Sequence, residues 1–270
     1  MERYVIKRTA GGWVATGDRF GIAQLSGSVA PLAEPTAFNQ LLEVGPSQET
    51  PSPIDRQNQD SSLETYIAAA YWGPRKESAA ACAARANRLV SSLSKISPYL
   101  AGWRAKGRTR RQALAAQPLD CSLEALSALF SAGRNHRDID GVVMEELGFS
   151  IGVWNGGDHE GASSLSMRCG LFSTVPGLSN SVVISLPSIL EPCIAEFCKD
   201  LVSVLVDAWE PDWAVVTSTT AIAARSEHGP FLDRALYVSS SIAVPEIVAN
   251  ALLPKKLSNG HLFLSADNAG

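Results

Sequence analysis

The sequence predicts an α+β fold: a mostly antiparallel sheet covered by helices, with a small N-terminal β appendage. Three observations carry this. Helix-period stripes are grouped early, strand-period alternation is grouped later, and a polar, proline-containing stretch cuts the first 44 residues off from the rest. A doubly wound sheet would instead alternate strand and helix throughout.

Residues 4–8 and 13–16 are short β-prone runs joined through Thr9-Ala10-Gly11-Gly12, which predicts a hairpin within an appendage spanning 1–44. The segment 45–62, GPSQETPSPIDRQNQDSS, has Ile54 as its single strongly apolar side chain and reads as a linker or mobile loop. The main domain is then 63–270. It opens with Thr65–Trp72, a run bounded by Gly73-Pro74 that suits a strand buried on both faces. Ala79, Cys82, Ala83, Ala86, Leu89, Val90, Leu93 and Ile96 fall on one helical stripe, which Ser97-Pro98 ends. Shorter helices are predicted near 109–116 and 122–132, the second with Leu123, Leu126, Leu129 and Phe130 inward and Gly133 as its stop.

The period then changes. Phe149, Ile151 and Val153 alternate with small or polar neighbours, as do Leu165, Met167 and Cys169, and then Val182, Ile184 and Leu186. Short connections between them imply an antiparallel meander. Ser188-Ile189-Leu190-Glu191 matches a capping box before a helix with the stripe Ile194, Phe197, Cys198, Leu201, Val204, Leu205 and Ala208. Pro211 stops that helix, Trp213–Thr217 reads as a buried strand and Leu262–Leu264 as a last one.

Composition is that of a globular protein, with 46% apolar and 19% charged residues. The longest apolar run, Tyr66–Trp72, is far short of the ~18 residues a membrane helix needs. No secretory h-region follows Met1, and Cys82, Cys121, Cys169, Cys193 and Cys198 are scattered without metal-type spacing. The expectation is a cytoplasmic protein with buried thiols, no disulfide framework and no membrane partner. A net charge of −4 argues against a whole-protein field for nucleic acid.

Catalytic patterns are missing. There is no Gly-x-Ser-x-Gly elbow, Walker loop or Gly-x-Gly-x-x-Gly, and His136, His159, His228 and His261 each stand alone in polar surroundings. Asp158-His159-Glu160 lacks a second ligand cluster, so no metal or cofactor is expected. Glu210-Pro211-Asp212 resembles the opening of a restriction-type nuclease signature, but Trp213–Thr217 supplies neither the second acid nor the lysine. The basic segment holding Arg104, Lys106, Arg108, Arg110 and Arg111 reads as a solvated loop and helix start. Of six tryptophans, Trp209 and Trp213 suit core packing, whereas Trp154 ends a strand beside a Gly-rich acidic loop, as an interface anchor would.

Several blocks occur in one order: Tyr71-Trp72-Gly73-Pro74-Arg75-Lys76-Glu77-Ser78, Gly133-Arg134-Asn135, the run from Glu146 to Gly157 ending Trp154-Asn155-Gly156-Gly157, Arg168-Cys169-Gly170, Gly177-Leu178-Ser179-Asn180-Ser181, and Trp209-Glu210-Pro211-Asp212-Trp213. This set, spanning about 65–265, resembles the immunity protein 52 family. Its members are bacterial antitoxins encoded beside polymorphic toxins, notably restriction-endonuclease-like DNases delivered by contact-dependent or type VI secretion. The resemblance implies a cytoplasmic non-enzyme that binds and silences its own toxin; the first 60 residues lie outside it. An acidic inhibitor suits the basic DNA-binding surface of a nuclease. On charge and predicted exposure, the candidate toxin contacts are Glu145, Glu146, Asp158, Glu160, Glu210 and Asp212, with Trp154 as an aromatic centre. Two alternatives stand beside this reading: an enzyme whose site is assembled from separated segments, and a nucleic-acid binder using 104–111 with Arg134 or Arg137.

Overall fold

The structure is a computed structural model that describes residues 4–9, 12–17, 20–23, 64–106, 110–190, 195–225, 229–244 and 254–265. The chain divides into two compact units, Met1–Ser62 and Leu63–Gly270. In the first, β1 (Tyr4–Thr9) pairs antiparallel with β2 (Gly12–Gly17). A third strand, β3 (Phe20–Ala23), pairs with β2 and makes the appendage a meander rather than a lone hairpin. The predicted linker 45–62 lies outside the described residues.

The second unit is built on one nine-stranded sheet in which every neighbouring pair is antiparallel. Its central strand is β4 (Tyr66–Trp72), where Ala68, Ala69 and Ala70 are fully buried. Small side chains there let elements pack closely on both faces. On one side of β4 the predicted meander appears as β6 (Phe149–Trp154), β7 (Ser164–Cys169) and β8 (Asn180–Ser185), with the two-residue edge strand β5 (Arg104–Ala105) beside β6. On the other side lie β9 (Trp213–Ser218), β10 (Ala235–Ser239), β12 (Gly260–Leu264) and the edge strand β11 (Lys255–Leu257).

Helices cover one face. The predicted stripe forms α1 (Ala79–Ile96), whose N-cap Ser78 accepts a hydrogen bond from Ala81 N and whose Cys82, Ala83, Ala86, Leu89, Val90 and Leu93 are buried. Beyond a short α2 (Arg110–Ala115), α3 (Leu123–Ala132) packs on α1 and β6 through Leu126 and Phe130. Leu123, expected to face inward, is 55% exposed. Gly133 ends α3 with an ordinary negative φ of −87°. Its role is clearance rather than left-handed capping: a Cβ there would sit 2.6 Å from Ile151 Cγ2.

The long helix α4 (Ala195–Trp209) packs on α1, β4, β9, β10 and β12. Ser188 and Ile189 lie in a turn ahead of α4, and the Ser188 hydroxyl donates to Glu160 O at 3.4 Å; the expected capping box ends on Glu191, which lies outside the described residues. Leu201, Leu205 and Trp209 of α4 are fully buried, and Leu→Ala changes at such sites cost about 2–5 kcal/mol. A second, smaller cluster on the opposite face holds Leu236, Val238 and Phe263, so β10 is buried on both sides. A one-turn helix, α5 (Thr219–Ala223), follows β9.

Candidate functional site

The signature residues converge at one end of the sheet, where β4 exits and β8 and β9 begin. Trp72 stacks on Trp209 at 5.2 Å, and Tyr71 on Trp213 at 4.3 Å. Gly73 N donates to the Asp212 carboxylate at 2.8 Å, while Asp212 N donates to Tyr71 O at 2.9 Å. Pro74 stands between these anchors and Arg75, whose guanidinium lies 5.0 Å above the Trp72 ring. Arg75 also donates to Trp209 O at 2.9 Å, and Arg85 and Arg88 of α1 donate to Ala208 O and Asp207 O, each at 3.0 Å.

Three cations therefore satisfy the last carbonyls of α4 and complement the negative end of its dipole. Glu77, nearly buried, pairs with both Arg75 and Arg85, at 3.2 and 2.7 Å. Glu210, exposed, pairs with Arg85 at 3.3 Å and holds a left-handed φ of 50°, the conformation that terminates α4 one residue before Pro211. Buried Asn180 completes the knot: its side chain donates to Gly73 O (2.7 Å) and Leu171 O (3.0 Å) and accepts from Leu171 N (2.9 Å).

Glu145 and Glu146 belong to the same end. They open a 3-10 turn, Glu145–Leu147, leading into β6, and Glu146 O accepts from Phe172 N and Ser173 N, each at 3.0 Å. Both glutamates are exposed. Between this turn and the signature knot lies a cavity of about 190 Å³ lined by residues including Lys76, Glu77, Arg134, Glu145, Phe149 and Phe172. Its charges are mixed, and Lys76 Nζ sits 4.9 Å over the Phe172 ring.

Trp154, Asp158 and Glu160 lie elsewhere. They follow the far end of β6, about 17 Å along the strand at ~3.3 Å per residue, so they cannot form one aromatic-centred rim with Glu145, Glu146, Glu210 and Asp212. Trp154 is half-buried, and its indole N–H is enclosed without a hydrogen-bond acceptor. Asn155 is a loop tie: its side chain donates to Tyr99 O and Gly161 O and accepts from Gly157 N and Ser163 N, all within 2.7–2.9 Å. Gly156 has a φ of 75°. The motif Trp154-Asn155-Gly156-Gly157 thus closes a nine-residue loop, 155–163, and leaves Asp158 and Glu160 exposed on it.

Among the described residues, no group of three or more His, Cys, Asp or Glu stands where it could hold a metal ion. Cys82, Cys169 and Cys198 are buried and Cys121 is half-buried; burial pushes the Cys169 thiol far above its ordinary value, with Cys82 as its neighbour. No helix among the described residues is long and apolar enough to cross a membrane.

Sequence reasoning missed Arg85 and Arg88, whose role depends on α4 ending beside α1. It also missed an exposed arm between α3 and β6, where Ile139 is 93% exposed. Asp140-Gly141 within a polar stretch was the available turn signal.

No curated protein matches the chain. A family model described as immunity protein 52 matches residues 64–253, which takes in the signature residues from Trp72 to Trp213 and strands β4 to β10. The chain belongs to the immunity protein 52 family.

Proposed function

We propose that this protein binds and neutralises a cognate secreted nuclease toxin in the cytoplasm of the cell that makes it, and that it does so as an inhibitor rather than as an enzyme. The family match carries the reading. The toxin is a restriction-endonuclease-like DNase of a polymorphic or type VI secretion system, whose DNA-binding surface is basic. A net charge of −4 on the inhibitor supports steered association with such a surface. Residues 63–270 form the immunity domain, 1–44 an appendage and 45–62 the connection between them.

The candidate contacts fall at two ends of the sheet, exposed Glu145, Glu146 and Glu210 with half-buried Asp212 at one and exposed Asp158 and Glu160 with Trp154 at the other, and the interface is assigned to the first end. Asp212 is the weakest of these, because its carboxylate is already engaged by Gly73 N. The test is to express the toxin encoded by the adjacent gene with and without this chain. Growth should be restored by co-expression, and the purified pair should co-elute on gel filtration. Separate elution together with unrelieved toxicity would overturn the reading.

A further inference from the structure

We infer that the arm 133–148 and the neighbouring loop 171–179 form the surface that docks the toxin, with the Ile139 tip entering an apolar recess ringed by basic groups. This rests on the reading of the chain as an immunity protein. Among the described residues, the large apolar side chains left exposed are Tyr99, Leu123, Ile139, Val142, Val143, Val175 and Ile189. Four of these seven lie on the arm and the loop, at 93% exposure for Ile139, 52% for Val142, 36% for Val143 and 58% for Val175. Scattered single exposed apolar residues need no explanation, but a concentration on one projection does.

The projection is built to be stiff. His136 and Val143 form an antiparallel bridge, Arg137 N donates to Val142 O at 2.9 Å, and Gly141 N donates to Arg137 O at 2.8 Å, with Gly141 at a φ of 69°. The Arg137 guanidinium pairs with the Asp140 carboxylate, and the same carboxylate accepts from Val142 N at 3.2 Å. Arg137 beside it holds the Asp140 carboxyl below the usual carboxylate range. At the root, Asn135 donates its side-chain amide to Leu147 O and Gly148 O, at 3.0 and 3.1 Å, and Met144 N returns to Asn135 O at 2.9 Å. The loop 171–179 is tied to the same root through Glu146 O.

A tip held by its own hydrogen bonds presents Ile139 without an ordering cost on binding, which is the condition for an anchor. Among the described residues, none buries that side chain. Charge then selects the partner. The arm carries Arg134 and Arg137 against Asp138, Asp140, Glu145 and Glu146, and since the Arg137–Asp140 pair cancels, Asp138 beside the tip and Glu145 and Glu146 at the root leave the arm net negative. An apolar centre inside an acidic rim fits an apolar recess inside a basic one, and a nuclease surface supplies the basic rim.

The probe is the purified toxin encoded by the adjacent gene, titrated against the full chain and two variants. Ile139→Asp removes the anchor at a site 93% exposed, so its thermal melt should match the parent while Kd rises about 30-fold or more. Leu123→Asp, the same apolar-to-charged change at the exposed start of α3, should leave Kd within about threefold. If the parent binds and Ile139→Asp binds within about threefold of it, the docking surface is wrong and the immunity reading survives. If the parent itself does not bind, both fall.

Discussion

Asn180 offers the strictest test of the knot that the signature residues build. Replacing it with leucine keeps the volume and removes every hydrogen bond the amide makes. Leu171 O retains a second donor, Arg75 N at 2.7 Å, so it stays satisfied. Leu171 N and Gly73 O have no such reserve, and each buried orphan costs about 1–3 kcal/mol. The central expectation is a loss of about 4 kcal/mol, or about 8–16 °C in Tm for a unit of this size. Urea unfolding should show a lower midpoint at an unchanged slope.

Asn180→Asp adds a sign to the same argument. Its ionised carboxylate still accepts from Leu171 N, but it turns an anionic oxygen toward Gly73 O, where the amide now donates at 2.7 Å. Burial and that carbonyl raise its folded pKa above the unfolded value of about 4. A raised pKa means the stability held by the protonated, donating form is complete below pH ~4 and is lost as pH rises through the folded value. The aspartate variant should therefore approach the parent in acid and diverge toward neutrality, while the leucine variant shows no such slope relative to the parent. A leucine deficit below about 1 kcal/mol would refute the claim that this side chain joins the two loops.

Gly148→Ala should cost more than about 3 kcal/mol, because at φ 62° its Cβ would lie 2.3 Å from Cys169 O and 2.5 Å from Leu171 N, both backbone; a melt within a few degrees of the parent would contradict this. Native protein treated with a thiol reagent at pH 8 should modify Cys121 slowly and spare Cys82, Cys169 and Cys198 until urea is added, as peptide mass mapping will read. Asp158→Lys with Glu160→Lys tests the opposite end of the sheet: stability should move by less than about 0.5 kcal/mol and toxin affinity should change little, whereas a loss of several kcal/mol in binding would bring the 155–163 loop into the interface. Removing residues 1–60 should leave a soluble protein that still protects cells, and insoluble product would show the appendage to be integral.

The parts legible in the sequence are those with a strong period. The α1 stripe from Ala79 to Ile96 and the alternation in β6, β7 and β8 reappear as burial patterns in the structure. The strand β10 was invisible because Leu236 and Val238 face one cluster and Tyr237 the other, so Ala235–Ser239 carries no alternation. Edge strands β5 and β11 are two and three residues long and set by pairing rather than by side-chain pattern. The Ser188–Glu191 pattern is local capping chemistry whose last member lies outside the described residues, and the bond from the Ser188 hydroxyl to Glu160 O joins segments that no sequence pattern links. Acidic candidates could be picked by type, but which end of a strand each occupies depends on topology. Glu146 and Trp154 are eight residues apart in sequence and separated by the length of β6.

The same geometry separates membership of the family from choice of partner. Trp72 and Trp209 stack on each other, hydrogen bonds join Gly73 to Asp212 and Asn180 and Arg75 to Trp209, and Asn155 spends its amide on closing the 155–163 loop. A side chain committed in this way cannot also reach a toxin without leaving an orphan in the fold. On the proposed reading, recognition falls to groups the fold does not need, such as Ile139 and the carboxylates of Glu145 and Glu146, which are exposed on a rooted arm. Substituting them changes the surface offered to a toxin at little cost in stability, whereas substituting the knot removes the protein. A chain arranged like this can keep its architecture while an exposed surface is altered to match a different partner.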